Sequence, residues 1–298
     1  MEEARLIAPG GGETVVDDPG RTLRILVDRE ELTLTWFRYA PGEEGPDPHV
    51  HRQHTDAFYV LEGELEFGLG PGAETAVVAR AGAFVAAPHE VVHTFRNAGA
   101  VTAVFLNVHA PSMGFGEMLR GRRDGRDEEA ARFDQFEPPA GGGRAVSDAI
   151  VRGPGEGDSI SVGASSVLFK AEGGDGDGVF SLTETTVEPG FPGPVLHRHR
   201  THLDSFYVLE GTLALRLGDR EVEATDGSYA FVPPGVAHTF RNASGAPVRA
   251  LNLMTPGGFE QYLKELARVH GPEAGGPPDP ALMAEIASRY DFEPATRH

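Results

Sequence analysis

The chain contains no cysteine. Disulfides, thiolate nucleophiles and cysteine-bound metals are therefore excluded, and any metal must be held by histidine and carboxylate. Positive charge is scarce: 26 Lys and Arg stand against 45 Asp and Glu, for a formal net charge of −19. That balance repels a phosphate backbone and argues against nucleic acid as a partner. No apolar run approaches the roughly 20 residues of a membrane-spanning helix. The start, Met1-Glu2-Glu3-Ala4-Arg5-Leu6, lacks the basic, apolar, then small-residue order of a signal peptide. The expectation is a cytoplasmic protein without membrane association.

What the chain does have is turn chemistry, with 39 Gly and 23 Pro, many of them between short apolar segments. That pattern predicts an all-β protein. At 298 residues, 40% of them hydrophobic, there is material for two domains of ordinary size. Strands are expected at 23–27, 32–37, 58–61, 65–69, 75–78, 83–87 and 101–108, from their β-branched and aromatic content and their alternation.

The chemistry-bearing residues come in two copies. His49-Val50-His51-Arg52-Gln53-His54-Thr55-Asp56 precedes the run Ala57 to Gly63. His197-Arg198-His199-Arg200-Thr201-His202-Leu203-Asp204 precedes Ser205 to Gly211 with the same internal spacing. The rest of the chain repeats too. His93-Thr94-Phe95-Arg96-Asn97 recurs unchanged as His238-Thr239-Phe240-Arg241-Asn242, and Leu65 to Leu69 corresponds to Leu213 to Leu217. The segment 258–267 carries apolar residues at helical spacing, with a shorter counterpart at 114–119. The repeat ends agree as well, Arg132 to Pro138 against Arg289 to Pro294. A duplication in two segments, 1–142 and 143–298, follows, with the Pro- and Gly-rich stretch 138–143 as linker.

Residues two apart in a strand project from one face, so His49 and His51 can point inward together, as can His197 and His199. Asp56 or Asp204 adds a carboxylate, and His93 or His238 arrives from far along the chain. Imidazole and carboxylate without thiolate suit a divalent first-row ion: Fe, Mn, Ni, Cu or Zn. His54 and His202 are alternative ligands or bases, and equally could be rim histidines bonded to loop backbone. Phe58, Phe84, Phe95, Phe206, Phe231 and Phe240 read as core, and Arg52, Arg198 and Arg200 as outward-facing. His89, His109 and His270 have no counterpart in the other copy and receive no role.

These residues resemble the cupins, whose first motif is G(X)5HXH(X)3–4E(X)6G and whose second is G(X)5PXG(X)2H(X)3N. Gly227, Pro233, Gly235, His238 and Asn242 follow the second motif throughout; Gly82, Pro88, His93 and Asn97 follow it with Glu90 in place of its glycine. Both copies carry Asp where the first motif has Glu, and Gly42 and Gly190 lie one residue too far ahead of it. Asp is shorter by roughly 1.5 Å, so it binds directly only if its strand sits closer; otherwise it acts through water or supports a histidine. The second copy fits the pattern better and is the better-formed candidate. The resemblance implies a bicupin: two jelly-roll β-barrels, each with a short C-terminal helical appendage.

Phe-Tyr-Val-Leu-Glu-Gly after the carboxylate looks most like the quercetin 2,3-dioxygenase type of bicupin. That likeness implies a mononuclear-metal dioxygenase consuming O2 and a flavonol, catechol-like or enol small molecule, with Asp56 and Asp204 as ligand or catalytic base. Two alternatives stand beside it: a metal- and metabolite-binding bicupin without turnover, and a metal-dependent isomerase or decarboxylase. Exposed sheet edges and the helices are compatible with a homodimer.

Overall fold

Strand alternation decides the fold locally. In Glu64–Leu69 the side chains of Leu65, Phe67 and Leu69 are buried while those between them are only half-buried, and Thr212–Leu217 repeats this with Leu213, Leu215 and Leu217. Ala103–Ala110 is buried along its whole length, as a central strand covered on both faces must be. The fold is that of a computed structural model describing residues 3–126, 129–270 and 279–295. Among the described residues no helix is long and apolar enough to cross a membrane.

Contacts group Gly11–Glu156 with Asp175–Val179 in one unit, and Met1–Gly10, Gly157–Gly174 and Phe180–His298 in the other. Each unit is a jelly roll of two antiparallel sheets. In the first, seven strands run in the order Ile150–Arg152, Phe84–Ala87, Thr55–Glu62, Ala103–Ala110, Thr33–Tyr39, Arg21–Asp28 and Glu13–Asp17. They face a sheet of Thr75–Arg80, Glu64–Leu69 and His93–Arg96. The second unit repeats the order. Its first edge strand, Arg5–Ile7, pairs with Tyr229–Val232 just as Ile150–Arg152 pairs with Phe84–Ala87. Each contact unit thus takes one edge strand from the part of the chain that mainly forms the other.

One end of each interior is filled by apolar side chains. In the first unit these are rings: Phe37 stacks on Phe105 with centroids 4.9 Å apart, and Phe58 meets Phe67 at 5.0 Å and Phe95 at 4.8 Å. In the second unit Thr185, Val187, Leu215 and Ala250 hold the register positions of Phe37, Tyr39, Phe67 and Phe105. Of the six phenylalanines read as core, Phe58, Phe84, Phe95, Phe206 and Phe231 are buried and Phe240 is half-buried. Arg52, Arg198 and Arg200 are exposed.

Helices follow each jelly roll: Phe115–Arg123 in the first unit, Glu260–His270 and Pro280–Ser288 in the second. The sequence reading passed over the last of these, although Asp279 caps it by accepting from the Ala281 N–H and Pro280 follows at once. The motif asparagines act as clamps. Asn97 Nδ2 donates to the carbonyls of Tyr39, Ala40 and Val101 at 2.9–3.0 Å, and Asn242 Nδ2 to those of Val187 and Ala246 at 2.8 Å. The glycine position of the second motif is left-handed in both units, at φ 85° for Gly235 and 63° for Glu90, so Glu90 bears backbone strain that Gly235 does not.

Asn97→Ala leaves the buried Tyr39 carbonyl without its donor. It should destabilise the protein by about 1–3 kcal/mol, seen as a lower midpoint in urea at unchanged slope.

Candidate metal centre

Backbone pairing brings the first and last histidines of each motif set together. His49 and His93 form an isolated antiparallel bridge, with His49 N donating to His93 O and His93 N to His49 O, both at 3.0 Å. His197 and His238 are paired in the same way. The second histidine of each motif is held by the end of its own repeat: His51 Nδ1 lies 2.9 Å from the Asp134 carbonyl, and His199 Nδ1 bonds the Asp291 carbonyl. The remaining four follow suit, with His49, His93, His197 and His238 placing Nδ1 on the carbonyls of Asp47, Val91, Val195 and Val236 at 2.9–3.1 Å.

A carbonyl only accepts, so each Nδ1 carries a proton and, in a neutral ring, Nε2 has the lone pair a metal needs. This is the arrangement that fixes the tautomer and orientation of a metal-bound imidazole. Without a metal, His93 Nε2 and His238 Nε2 face the carboxylates of Asp56 and Asp204 at 3.2 and 3.1 Å. His49, His51, Asp56 and His93 form one buried group whose donor atoms all lie within 4.8 Å of one another, and His197, His199 and His238 form another. Asp204 belongs beside the second group, its Oδ2 3.1 Å from His238 Nε2 and 3.8 Å from His199 Nε2. Asp56 Oδ2 matches it, 3.2 Å from His93 Nε2 and 3.9 Å from His51 Nε2. The other carboxylate oxygen is gripped by an amide in each case, Asn107 on Asp56 and Asn252 on Asp204. His51 Nε2 and His199 Nε2 are buried without a hydrogen-bond partner. A divalent cation fits both groups, because it would satisfy those lone pairs and balance a sealed carboxylate.

The protonation states agree. Burial pushes the Asp56 and Asp204 carboxyls up, but the surrounding imidazoles outweigh it and hold both below the usual carboxylate range. Burial, with the neighbouring rings, keeps His49 and His197 well below an ordinary imidazole. His51 is lowered, again chiefly by burial; burial acts on His199 too, but Asp204 and Asp291 together raise it.

His54 and His202 each place Nδ1 2.9 Å from a carboxylate oxygen, of Asp134 and Asp291 respectively. Those same carboxylates accept the backbone N–H groups of residues 52 and 53 in one unit, and of 200 to 202 in the other. Both aspartates are depressed: burial raises them, and the histidine and backbone donors more than compensate. Sequence reasoning passed over Asp134, Asp291, Asn107, Asn252 and His109. The aspartates lie inside the matched repeat ends and the asparagines occupy matched strand positions, so duplication was the usable signal for them. His109 offered only its place two residues after Asn107. It stands directly opposite Asp56 in the sheet and stacks on Phe115 at 3.5 Å, whereas Met254 stands opposite Asp204. In the second unit rings close over the histidines instead, Phe292 stacking on His197 at 4.2 Å and Phe259 meeting His199 edge-on at 4.8 Å.

A family model described as "Cupin domain" matches residues 35–109 and again 183–254, one copy in each unit. The chain is a bicupin of the cupin superfamily. It is similar to quercetin 2,3-dioxygenase of Bacillus subtilis, at 28% identity over 112 residues that cover 38% of this chain and 33% of that protein. The match thus spans about a third of that relative. Among solved structures, the bicupin is similar to an oxalate decarboxylase from Lactobacillus farciminis in complex with formate, with TM-score 0.60 and 12% identity over 89% of this chain and 90% of that one. It also resembles the oxalate decarboxylase of Bacillus subtilis, which has Mn(II) centres, with TM-score 0.57 and 16% identity over 85% and 77% of the two chains. These structural likenesses show the fold.

Histidines kept neutral by burial make the metal-free bicupin acid-sensitive. For His49, His51 and His197 the folded pKa lies below the unfolded value of about 6.5, so the unfolded chain takes up more protons as pH falls. Their contribution is full above that value and lost below it; His199, raised, opposes them. In chelator the urea midpoint should fall between pH 7 and pH 5, and saturating metal should lessen the fall. A midpoint that is flat in chelator would rule out neutral buried imidazoles.

Proposed function

We propose that this bicupin is a metal-dependent dioxygenase acting on a small molecule that carries a flavonol, catechol-like or enol hydroxyl. His49, His51, His93 and Asp56 would hold one divalent first-row ion, and His197, His199, His238 and Asp204 another. When bound, such an ion supplies a Lewis acid for the substrate oxygen and a redox partner for O2. One observation carries the reading: in each unit a buried carboxylate stands among imidazoles, one oxygen held by an asparagine amide and the other facing a histidine Nε2.

The second oxygen is the base. Asp56 or Asp204 takes the proton of the substrate hydroxyl, while Asn107 or Asn252 holds the carboxylate in place. Aromatic rings against the histidines (Phe115 on His109, Phe292 on His197, Phe259 on His199) exclude water and offer a planar, apolar surface to an aromatic substrate. The sequence likeness to quercetin 2,3-dioxygenase supports the same class of reaction.

Oxygen uptake should accompany consumption of at least one compound in a flavonol and catechol panel, measured on protein loaded in turn with Fe, Mn, Ni, Cu and Zn. Silence with every ion sinks the dioxygenase reading. Anaerobic turnover would establish a decarboxylase or isomerase, and tight binding without turnover a metabolite-binding protein. Asp56→Asn and Asp204→Asn, made separately, should show which unit works, since loss of a catalytic base lowers turnover about 10²–10⁴-fold. His197→Ala should remove one ion per chain by elemental analysis.

A further inference from the structure

The first unit contains a second convergence of imidazoles that the proposed reaction does not use. His51, His54 and His109, all buried, each bring one donor nitrogen within 4.8 Å of the others. Their outer nitrogens are committed. His54 Nδ1 faces Asp134 Oδ2 at 2.9 Å and His51 Nδ1 faces the Asp134 carbonyl at 2.9 Å, both pure acceptors. His109 Nε2 lies 3.1 Å from Asn107 Oδ1 and 3.4 Å from Asp56 Oδ1. Asn107 cannot turn its amide round, because its Nδ2 is committed to Asp56 Oδ1 and to the Ala57 carbonyl. All three outer nitrogens therefore carry protons.

In neutral imidazoles the inner nitrogens are then bare. His54 Nε2 and His109 Nδ1 confront each other at 2.9 Å, and His51 Nε2 is buried without a partner. Lone pairs so placed repel unless a proton or a metal cation lies between them. Metal–imidazole bonds of about 2.0–2.1 Å would meet at about 90° across that gap, the angle of square or octahedral coordination and narrower than the tetrahedral one. Two carboxylates, Asp56 and Asp134, supply the countercharge, and carboxylate or amide acceptors brace the outer N–H groups of His54 and His109 as they do in metal sites.

We infer that the first unit has a second position for a divalent cation, formed by His51, His54 and His109, which shares His51 with the His49, His93 and Asp56 position. Because His51 has one free lone pair, and because one divalent charge already balances two carboxylates, a single ion occupies one position or the other. A set of three imidazoles favours Zn(II), Ni(II) or Cu(II), while the position with Asp56 better suits a harder ion such as Mn(II). Among the described residues the second unit has no such group: Met254 replaces His109, and the His202 ring centroid lies 6.0 Å from that of His199.

The test compares zinc content by elemental analysis after loading and desalting. His49→Ala/His93→Ala dismantles the first position and should retain its zinc in this unit; adding His109→Met, the residue found opposite the carboxylate in the other unit, should remove one zinc per chain. Equal content in the double and triple variants overturns the inference. If those variants do not fold, wild-type crystals loaded with zinc answer the same question through anomalous scattering at the zinc edge. Peaks at both positions with occupancies summing to about one are expected, and a peak confined to the His49, His93 and Asp56 position overturns it. Neither readout involves turnover, so the outcome is independent of the dioxygenase reading.

Discussion

Each unit is built around a carboxylate sealed from water. Taking an unpaired carboxylate into a protein interior would cost several kcal/mol, so Asp56 and Asp204 impose conditions on everything near them. An asparagine on the neighbouring central strand must hold one oxygen, and imidazoles must face the other. Those imidazoles are turned inward by acceptors behind them. The loops before each motif and the repeat ends at Asp134 and Asp291 provide these. Even the bridge between His49 and His93 serves this centre, since it fixes the segment carrying the first histidine against the strand carrying the last.

Beyond this shared frame the units have diverged. The first packs six rings into the closed end of its interior and surrounds its carboxylate with polar groups, His109 and Asn107 on one side and His54 with Asp134 behind. The second replaces four of those rings by Thr185, Val187, Leu215 and Ala250, and covers its histidines with Phe259 and Phe292 from the helical appendage. Smaller side chains within and aromatic rings above leave the candidate metal group of the second unit in the more apolar surroundings. Two candidate groups of one pattern are thus set in different dielectric surroundings.

The sequence alone determined the all-β class, the duplication and the pairing of each His-x-His with a distant histidine. Those are properties of spacing and alternation, and repetition within one chain confirms them internally. Local order could not reveal that Asp134 and Asp291 return to brace His54 and His202, because a hydrogen bond across some 80 or 90 residues leaves no periodic trace. Nor could it give His109 a role. Its strand position carried no duplicate, and only the register that sets it opposite Asp56 brings its ring to the centre. Sequence order supplied the ligand types; tertiary register decided which nitrogens face inward, because a tautomer is set by whichever acceptor the fold places behind the ring.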